Sequence, residues 1–568
     1  MSLFAELKRR NVLKVAIAYV ITAWVVMQVA DVMLNNIAAP GWIFHVLLLF
    51  LFLGFPFAVI LAWAFELTPD GLKRERGVDS DATPVEATPQ AMTEKAVTGT
   101  RKSGESDKSI AVLPFVNMSS DKEQEYFSDG LSEELLNLLS KIPDLRVAAR
   151  TSSFTYKDKD VKIAQIGEEL NVAHVLEGSV RKSGDRVRIT TQLIQVQDGY
   201  HLWSETYDRT LDDIFAIQDE IAAEVVVQLK VALLGAAPLV KETDPEAYSL
   251  YLQARHLSRQ GSANAFEQSI ALYQRALAIA PDYAAAWDGL AAVYGDQTNR
   301  GLRPNEEGYA LVRKAAGKAL AIDPDFAKSH ARLGMIAIYD RDLAAGAQHL
   351  ERALELDPND LDILADAADE AAFLGRVDEA IALQEYVVAR DPVNARGHRR
   401  MGVSYLWGGR LDDAIASFGT ALTLSPGQLG AGQMTGIALL LKGEPEAALA
   451  AMQQEPGEGW RLIGLAMAHH ALGQAAESDA ALARTIERDE QVASFNIAFL
   501  LAFQGEADRA FEWLQKAAKY NDPGLAQITN VPMFANIHGD PRWLPFLDSV
   551  DKSPQQLAAI EFNVALPA

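Results

Sequence analysis

Residues 395–428 read ARGHRRMGVSYLWGGRLDDAIASFGTALTLSPGQ, and the spacing inside this stretch decides the fold. Gly402 and Ala414 are small, Phe418 and Ala421 follow at helical intervals, and Pro426 stops the segment. The same marks recur on a 34-residue grid. Pro324, Pro358, Pro392 and Pro426 form one series, Gly334, Ala368, Gly402 and Gly436 a second, and Gly346, Ala380, Ala414 and Ala448 a third. Small residues at fixed points let two helices cross closely, and proline ends the second helix. A lone helix pair cannot bury its apolar face, so each pair must stack on the next. Extending the grid gives about eight repeats starting near residues 245, 284, 327, 361, 395, 429, 457 and 491. The second is enlarged by 9 residues, since Pro281 and Pro324 lie 43 apart, and the sixth is shortened by 6, since Gly436 and Gly464 lie 28 apart. The array is expected over 245–524, with an atypical cap and tail over 525–568.

Upstream of the array the chain changes character. Residues 12–34 and 42–65 are two apolar runs joined by Asn35-Asn36-Ile37-Ala38-Ala39-Pro40-Gly41, and the first would reach about 34 Å as a helix. They predict a two-span transmembrane hairpin over 12–66 behind a basic segment, 1–11. A cleaved signal peptide fits less well, because the first run exceeds a typical apolar core of about 7–15 residues and a second follows at once. Lys8, Arg9, Arg10 and Lys14 precede the hairpin and Lys73, Arg74 and Arg76 follow it, which predicts a bacterial inner-membrane protein with its soluble part in the cytoplasm. Asp31 reads as an interfacial carboxylate or as part of an ion pathway. Residues 67–107, rich in Ser, Thr, Pro, Gly and charge, read as a flexible linker.

From Lys108 the pattern becomes mixed. Ser109–Val116 and Leu145–Ala149 read as strands, and Glu125–Ile142 carries Phe127, Leu131, Leu135 and Leu138 at helical spacing. Ala164–Leu170 is a short helix. Ala173–Arg181 and Arg186–Val196 form a hairpin around Ser183-Gly184-Asp185, Tyr200–Tyr207 is a further strand, and Asp212–Lys230 is a closing helix. Strands interleaved with helices predict an α/β domain over 108–236.

Two resemblances follow from these residues. The 34-residue grid resembles the tetratricopeptide (TPR) signature, which implies an all-α superhelical solenoid. The segments SIAVLPFVNMSSDKEQEYFSDGLSEELLNLLSKIPDLRVAAR and HVLEGSVRKSGDRVRITTQLIQVQDGYHLWSETYD resemble the TolB amino-terminal-like, or FlgO-like, domain. Relatives of that kind often precede TPR arrays, some behind a class III adenylyl cyclase or a CadC-type module, neither of which occurs in this sequence. Such domains often face the periplasm, against the direction of the basic flanks. The resemblance brings no catalytic residues.

Composition narrows the chemistry. The 568 residues contain no cysteine, which excludes disulfides, thiolate catalysis and cysteine-ligated metals. Net charge is -24, so binding to a nucleic-acid backbone is disfavoured. No metalloprotease, P-loop, nucleophile-elbow or dinucleotide fingerprint is present, and neither an enzyme activity nor a cofactor is expected. Gly427, Gly430 and Gly432 resemble a glycine-rich loop but fall inside the repeat grid. His330 and His398, two repeats apart, read as packing residues. The adjacent Glu133 and Glu134 need no acid–base role.

The TPR pattern implies that positions 2, 5, 9 and 12–13 of each first helix face the concave wall. They include Arg396, Arg399 and Trp407, then Gln433, then Arg461 and His469, then Phe495 and Phe499, with Tyr339 and Phe373 earlier. Arginine forks recognise carboxylates and aromatics anchor apolar groups, so this groove is expected to bind an acidic or carboxylate-bearing protein segment. Ordinary packing between repeats is the alternative. At the level of function, a membrane-anchored interaction scaffold leads. A regulatory subunit of a transmembrane signalling system is the competitor, and an envelope assembly factor follows if the soluble part is periplasmic.

Overall fold

The computed structural model describes residues 66–68, 71–73, 108–119, 121, 124–142, 145–229 and 242–567. It divides into two units, 1–99 and 100–568. In the first, Glu66–Thr68 pairs antiparallel with Gly71–Lys73.

The α/β region is built from β1 (Ser109–Val112), β2 (Val116–Asn117), α1 (Glu125–Ser140), β3 (Arg146–Val147), α2 (Arg150–Phe154), α3 (Ile163–Glu169), β4 (His174–Ser183), β5 (Arg186–Gln195), β6 (His201–Thr210) and α4 (Ile214–Gln228). The sheet order is β3-β1-β4-β5-β6, with β2 also pairing β4. β1 is parallel to both neighbours, whereas β4, β5 and β6 form an antiparallel meander. Pro114 explains why the apolar run 109–116 is two strands instead of one, since proline cannot donate to a ladder. Along β5, Val187, Ile189 and Leu193 are fully buried beneath the helices, while Arg186 and Arg188 face out.

Sixteen helices follow as eight pairs. The first helices are α5 (Pro245–Ser258), α7 (Ala284–Asn299), α9 (Ala327–Tyr339), α11 (Leu361–Phe373), α13 (Ala395–Trp407), α15 (Ala431–Leu441), α17 (Glu458–Ala471) and α19 (Ser494–Phe503). Their partners are α6 (Ala263–Ile279), α8 (Asn305–Ile322), α10 (Leu343–Leu356), α12 (Val377–Arg390), α14 (Leu411–Leu424), α16 (Pro445–Gln453), α18 (Ala475–Asp489) and α20 (Ala507–Lys519). The grid's small residues sit at the crossings. A Cβ on Gly402 would lie 2.6 Å from the Phe418 ring, and one on Gly436 would lie 2.5 Å from Met452. The turn inside a pair needs a left-handed residue, supplied by Gly409 at φ 72° and, in the third pair, by Arg341 at φ 67°. Two 3-10 turns, Pro523–Gln527 and Pro532–Ile537, then α21 (Trp543–Ser549) and α22 (Pro554–Ala558), complete the chain. The turn at Pro523–Gln527 packs against α9 and α11, so the last segment crosses back to the third and fourth repeats.

The α/β region and the solenoid are fused. A single buried cluster runs from Ile110 and Leu131 through Tyr248 and Phe266 to Ile336. Gly130 of α1 lies so close to α5 that a Cβ would be 2.7 Å from Leu252. At this contact Glu133 receives Arg255 and Arg259 from α5 and its loop, and Arg150 Nε at 3.0 Å; Arg255 also binds Glu134. Burial alone would raise the Glu133 carboxyl, but the guanidiniums of Arg255, Arg259 and Arg150 outweigh it and hold the group far below the usual range. Farther along, Ser152 Oγ donates to Asp391 Oδ1 at 2.5 Å, so α2 also reaches the loop before α13.

The membrane expectation is corrected here. Among the described residues no helix is long and apolar enough to cross a membrane. The longest, α8 with 18 residues, carries Glu306, Glu307, Arg313, Lys314 and Lys318 along an amphipathic repeat helix. The apolar runs 12–34 and 42–65 lie outside the described residues. The fold is a helical TPR-like solenoid with an α/β region, and the transmembrane hairpin is withdrawn from it.

The shortened sixth repeat has a specific cause. Glu455, 1% exposed, accepts from the backbone N–H of Gly430 at 3.0 Å, Gly432 at 3.1 Å, Gln433 at 3.4 Å and Gly457 at 3.0 Å. The carboxylate thus caps α15 and closes the turn that replaces the missing residues. Replacing Glu455→Ala leaves three buried donors unsatisfied, those of Gly430, Gly432 and Gln433, and costs about 3 kcal/mol or more. Its thermal midpoint should fall by several degrees, whereas Glu446→Ala on the exposed face of α16 should leave it unchanged.

Candidate functional site

A chamber of about 200 Å³ lies inside the solenoid, walled by α11, α13, α15, α17 and α19 and roofed by Gln527, Val531, Pro532 and Met533. Asn394 fixes the start of α13 by accepting from Gly397 N at 3.1 Å, which sets Arg399, Arg400, Val403 and Trp407 on the inward side. Five aromatic side chains contribute to the wall, Phe373, Trp407, Trp460, Phe495 and Phe499. Phe373 and Trp407 meet with ring centroids 6.0 Å apart.

Two adjacent arginines behave differently. Arg400 is held by Asp366 at 2.6 Å and Asp369 at 2.8 Å. Arg399 makes no hydrogen bond or ion pair among the described residues. Burial, and then the neighbouring Arg400, push its guanidinium below the ordinary value, with Asp369 only partly compensating. The side chains of Asn496 and Gln527 also line the chamber and are likewise without a hydrogen bond among the described residues. An apolar wall with a few convergent polar groups, here Arg399, Asn496 and Gln527 beside the paired Arg400 and Asp369, is how ligand sites are built, although this volume is below the roughly 300–1,000 Å³ of a drug-sized pocket. It suits one side chain or chain end.

The predicted groove residues therefore separate. Arg399, Trp407, Phe495 and Phe499 come together on the chamber, with Phe373. Arg396 is exposed at the start of α13. Gln433 is fully buried, and neither of its amide atoms has a partner in the interior. Arg461 donates to the Glu455 carbonyl at 2.7 Å, which fixes the same turn that Glu455 closes. His469 Nδ1 is 2.6 Å from Gln474 Oε1 within its own repeat. Tyr339 stacks on Tyr309 at 5.1 Å. A continuous polar line from Arg396 through Gln433 to Arg461 is not formed, because the shortened sixth repeat turns Gln433 inward. The position rule could not find Trp460, Asn496 and Gln527: the first two sit off its register, and the third belongs to the cap.

Other singled-out residues have local roles. The glycine-rich stretch at Gly430 and Gly432 does cradle an anion, but the anion is Glu455. His330 and His398 place Nε2 at 3.0 and 2.9 Å from the Pro324 and Pro392 carbonyls, the same contact two repeats apart. Glu133 and Glu134 are the junction between α1 and α5. Among the described residues no cluster of three potential metal ligands occurs. A larger cleft, about 610 Å³, lies beside β1 and β4 in the α/β region. Its Lys157 is already committed to Glu125 and Asp129, each at 2.6 Å.

Comparison with known proteins follows the same division. The family described as HilA/YgeH-like transcriptional regulator, second domain, matches residues 106–224, and the tetratricopeptide repeat family matches 327–360. The chain thus carries TPR repeats and a HilA-like domain. The finer TolB resemblance is not what the matching family names. The chain is 45% identical over 189 residues to "Putative adenylate cyclase 3" of Rhizobium meliloti (strain 1021), covering 33% of this chain and 32% of that protein. It therefore spans about a third of that relative's length. Among solved structures it is similar to pilF of Pseudomonas aeruginosa, at 16% identity and a TM-score of 0.30, covering 36% of this chain and 92% of that one. It is also similar to a thermophilic TPR protein of Thermus thermophilus, at 22% identity and a TM-score of 0.29, covering 34% of this chain and 99% of that one.

Elsewhere in the interior, Glu370 of α11 and Lys552 are both fully buried, and neither carboxylate oxygen nor the ammonium has a hydrogen bond. Burial pushes Glu370 up to about 8 and Lys552 down to about 8, each moderated by the other. Asp342 and Asp369 raise Glu370 further, and Arg341 and Asp551 act on Lys552. The folded chain therefore holds a proton on Glu370 between its ordinary value of 4.5 and about 8 that the unfolded chain has lost. Stability falls as pH rises through that window. For Lys552 the unfolded chain holds the extra proton between about 8 and 10.5, so stability recovers there. Glu370→Gln should match the parent at pH 5 and melt progressively higher than it as pH approaches 8. Parallel melting curves at both pH values would contradict the buried-acid assignment.

Proposed function

We propose that the chain is a protein-interaction scaffold whose solenoid interior accepts a carboxylate-bearing segment of a partner. The observation that carries this is Arg399: a half-buried guanidinium with no counter-ion among the described residues, opening on an aromatic chamber. A carboxylate placed there gains a charge-assisted fork, and Asn496 and Gln527 can orient it. Trp407, Phe373 and Phe499 take the apolar part of the same segment. Arg396, exposed near the start of the same helix, steers the anion inward.

The test uses short peptides ending in an apolar residue, with a free or an amidated carboxyl terminus, and reads Trp407 and Trp460 fluorescence. The free acid should bind at least tenfold more tightly than the amide to the parent chain. Arg399→Ala should weaken the free acid to the level of the amide and abolish the discrimination. An Arg399→Ala chain that still prefers the free acid would remove this reading.

A second reading rests on the 45% identity to a protein named as an adenylate cyclase. In it the α/β region and repeats regulate a cyclase activity. Incubation of the full chain with ATP and a divalent cation separates the two. The scaffold reading expects no cyclic AMP, and reproducible turnover would favour the cyclase.

A further inference from the structure

Residues 561–567 have no regular secondary structure, yet the stretch around Phe562 is held against repeats three and four. Ile560 is half-buried, Glu561 exposed, Phe562 2% exposed, Asn563 exposed and Val564 half-buried. A period of two is the mark of an extended chain laid on an apolar surface. The surface is carried by α10, α11 and α12. Phe562 joins the buried cluster of Leu343, Leu350 and Ile363, and Val564 packs against the neighbouring cluster of Leu364 and Leu383. The backbone is clamped as well. Arg376 donates through Nη1 to the Phe562 carbonyl at 2.5 Å and through Nη2 to the Ile560 carbonyl at 2.9 Å. Glu351 Oε1 accepts from Asn563 N at 2.5 Å.

Three contacts to backbone, one buried side chain and two half-buried ones at alternate positions have the form of a peptide-recognition site with its ligand in place. The backbone contacts are indifferent to sequence, so selectivity falls on positions 560, 562 and 564. We propose that this trough is a docking site for extended segments with apolar residues at alternate positions, and that its occupant in trans is the same segment of a second copy of this chain. A second copy presents Ile560, Phe562 and Val564 in the register the trough already fits. The tether is short, running from α21 through Asp551, itself in the left-handed region at φ 58°, to α22. A short tether gives the resident segment an effective concentration on the order of millimolar, so it excludes the second copy until one partner's own segment or trough is disabled.

Two full-length variants test this by complementation. Phe562→Asp disables the segment and leaves the trough open. Arg376→Glu disables the trough and leaves the segment free. Sedimentation velocity of a 1:1 mixture should show a species one chain heavier than either variant gives alone. A mixture that sediments as the sum of its parts overturns the proposal. Should Phe562→Asp fail to fold, a chain ending at Ala559 replaces it, and a labelled peptide of residues 557–568 supplies the segment. That peptide should bind in the micromolar range and at least tenfold more tightly than its Phe562→Asp version. Equal binding of the two, or none, overturns the site. A peptide of the same alternation but other apolar residues that binds more tightly than the chain's own would overturn the second-copy occupant in favour of a different protein.

Discussion

One buried carboxylate ties the α/β region to the solenoid. Glu133 sits at the crossing of α1 and α5, where Gly130 brings the helices together, and it is neutralised by arginines from both sides of the junction. A buried charge without its partners is costly, and breaking such a pair typically costs about 3–5 kcal/mol. The two regions are therefore not beads on a string. Tyr126 bonds Ser249 and Gln218 bonds Tyr248 across the same seam, so the α/β region acts as the cap that a solenoid's first repeat needs.

Much of this was legible in the sequence for simple reasons. The grid of Pro392, Gly402 and Ala414 reflects close helix crossings that admit nothing larger, so it survives as a period. The alternation at Val187, Ile189 and Leu193 reflects a sheet with one covered face. What could not be read was anything set by distant residues meeting. Arg399 and Arg400 are adjacent and chemically identical in the sequence, yet Asp366 and Asp369 claim only one of them. Gln433 stood at a predicted groove position, but the turn held by Glu455 rotates it into the interior. The apolar runs near the amino terminus satisfied a length rule, whereas no described helix is both long and apolar enough to cross a membrane.

The interior of the solenoid is less available than its repeat count implies. The last segment roofs the chamber, and α2 reaches the loop before α13. In the reading proposed above, recognition falls on the small volume around Arg399. That arrangement favours selectivity over area: an unpaired cation in a low-dielectric, aromatic setting discriminates sharply between an acid and its neutral analogue. It also separates the two parts of the molecule in role, since the HilA-like domain contributes no chamber wall.

The return of the last segment to repeats three and four changes what kind of polymer the solenoid is. Asn530 bonds the Ala372 carbonyl and Arg376 bonds the Phe562 carbonyl, contacts that join residues 158 and 186 positions apart. An open array has only neighbour-to-neighbour terms, so it can fray from either end and fold from any point. Here the far end is tied to the middle, and fraying of the last repeats must also break contacts to the third and fourth. The long loop must close before those contacts form, which places them late in folding and slows the final step. Repeats three to eight thus open together or not at all, and hydrogen exchange in α19 should follow that of α11 instead of running ahead of it.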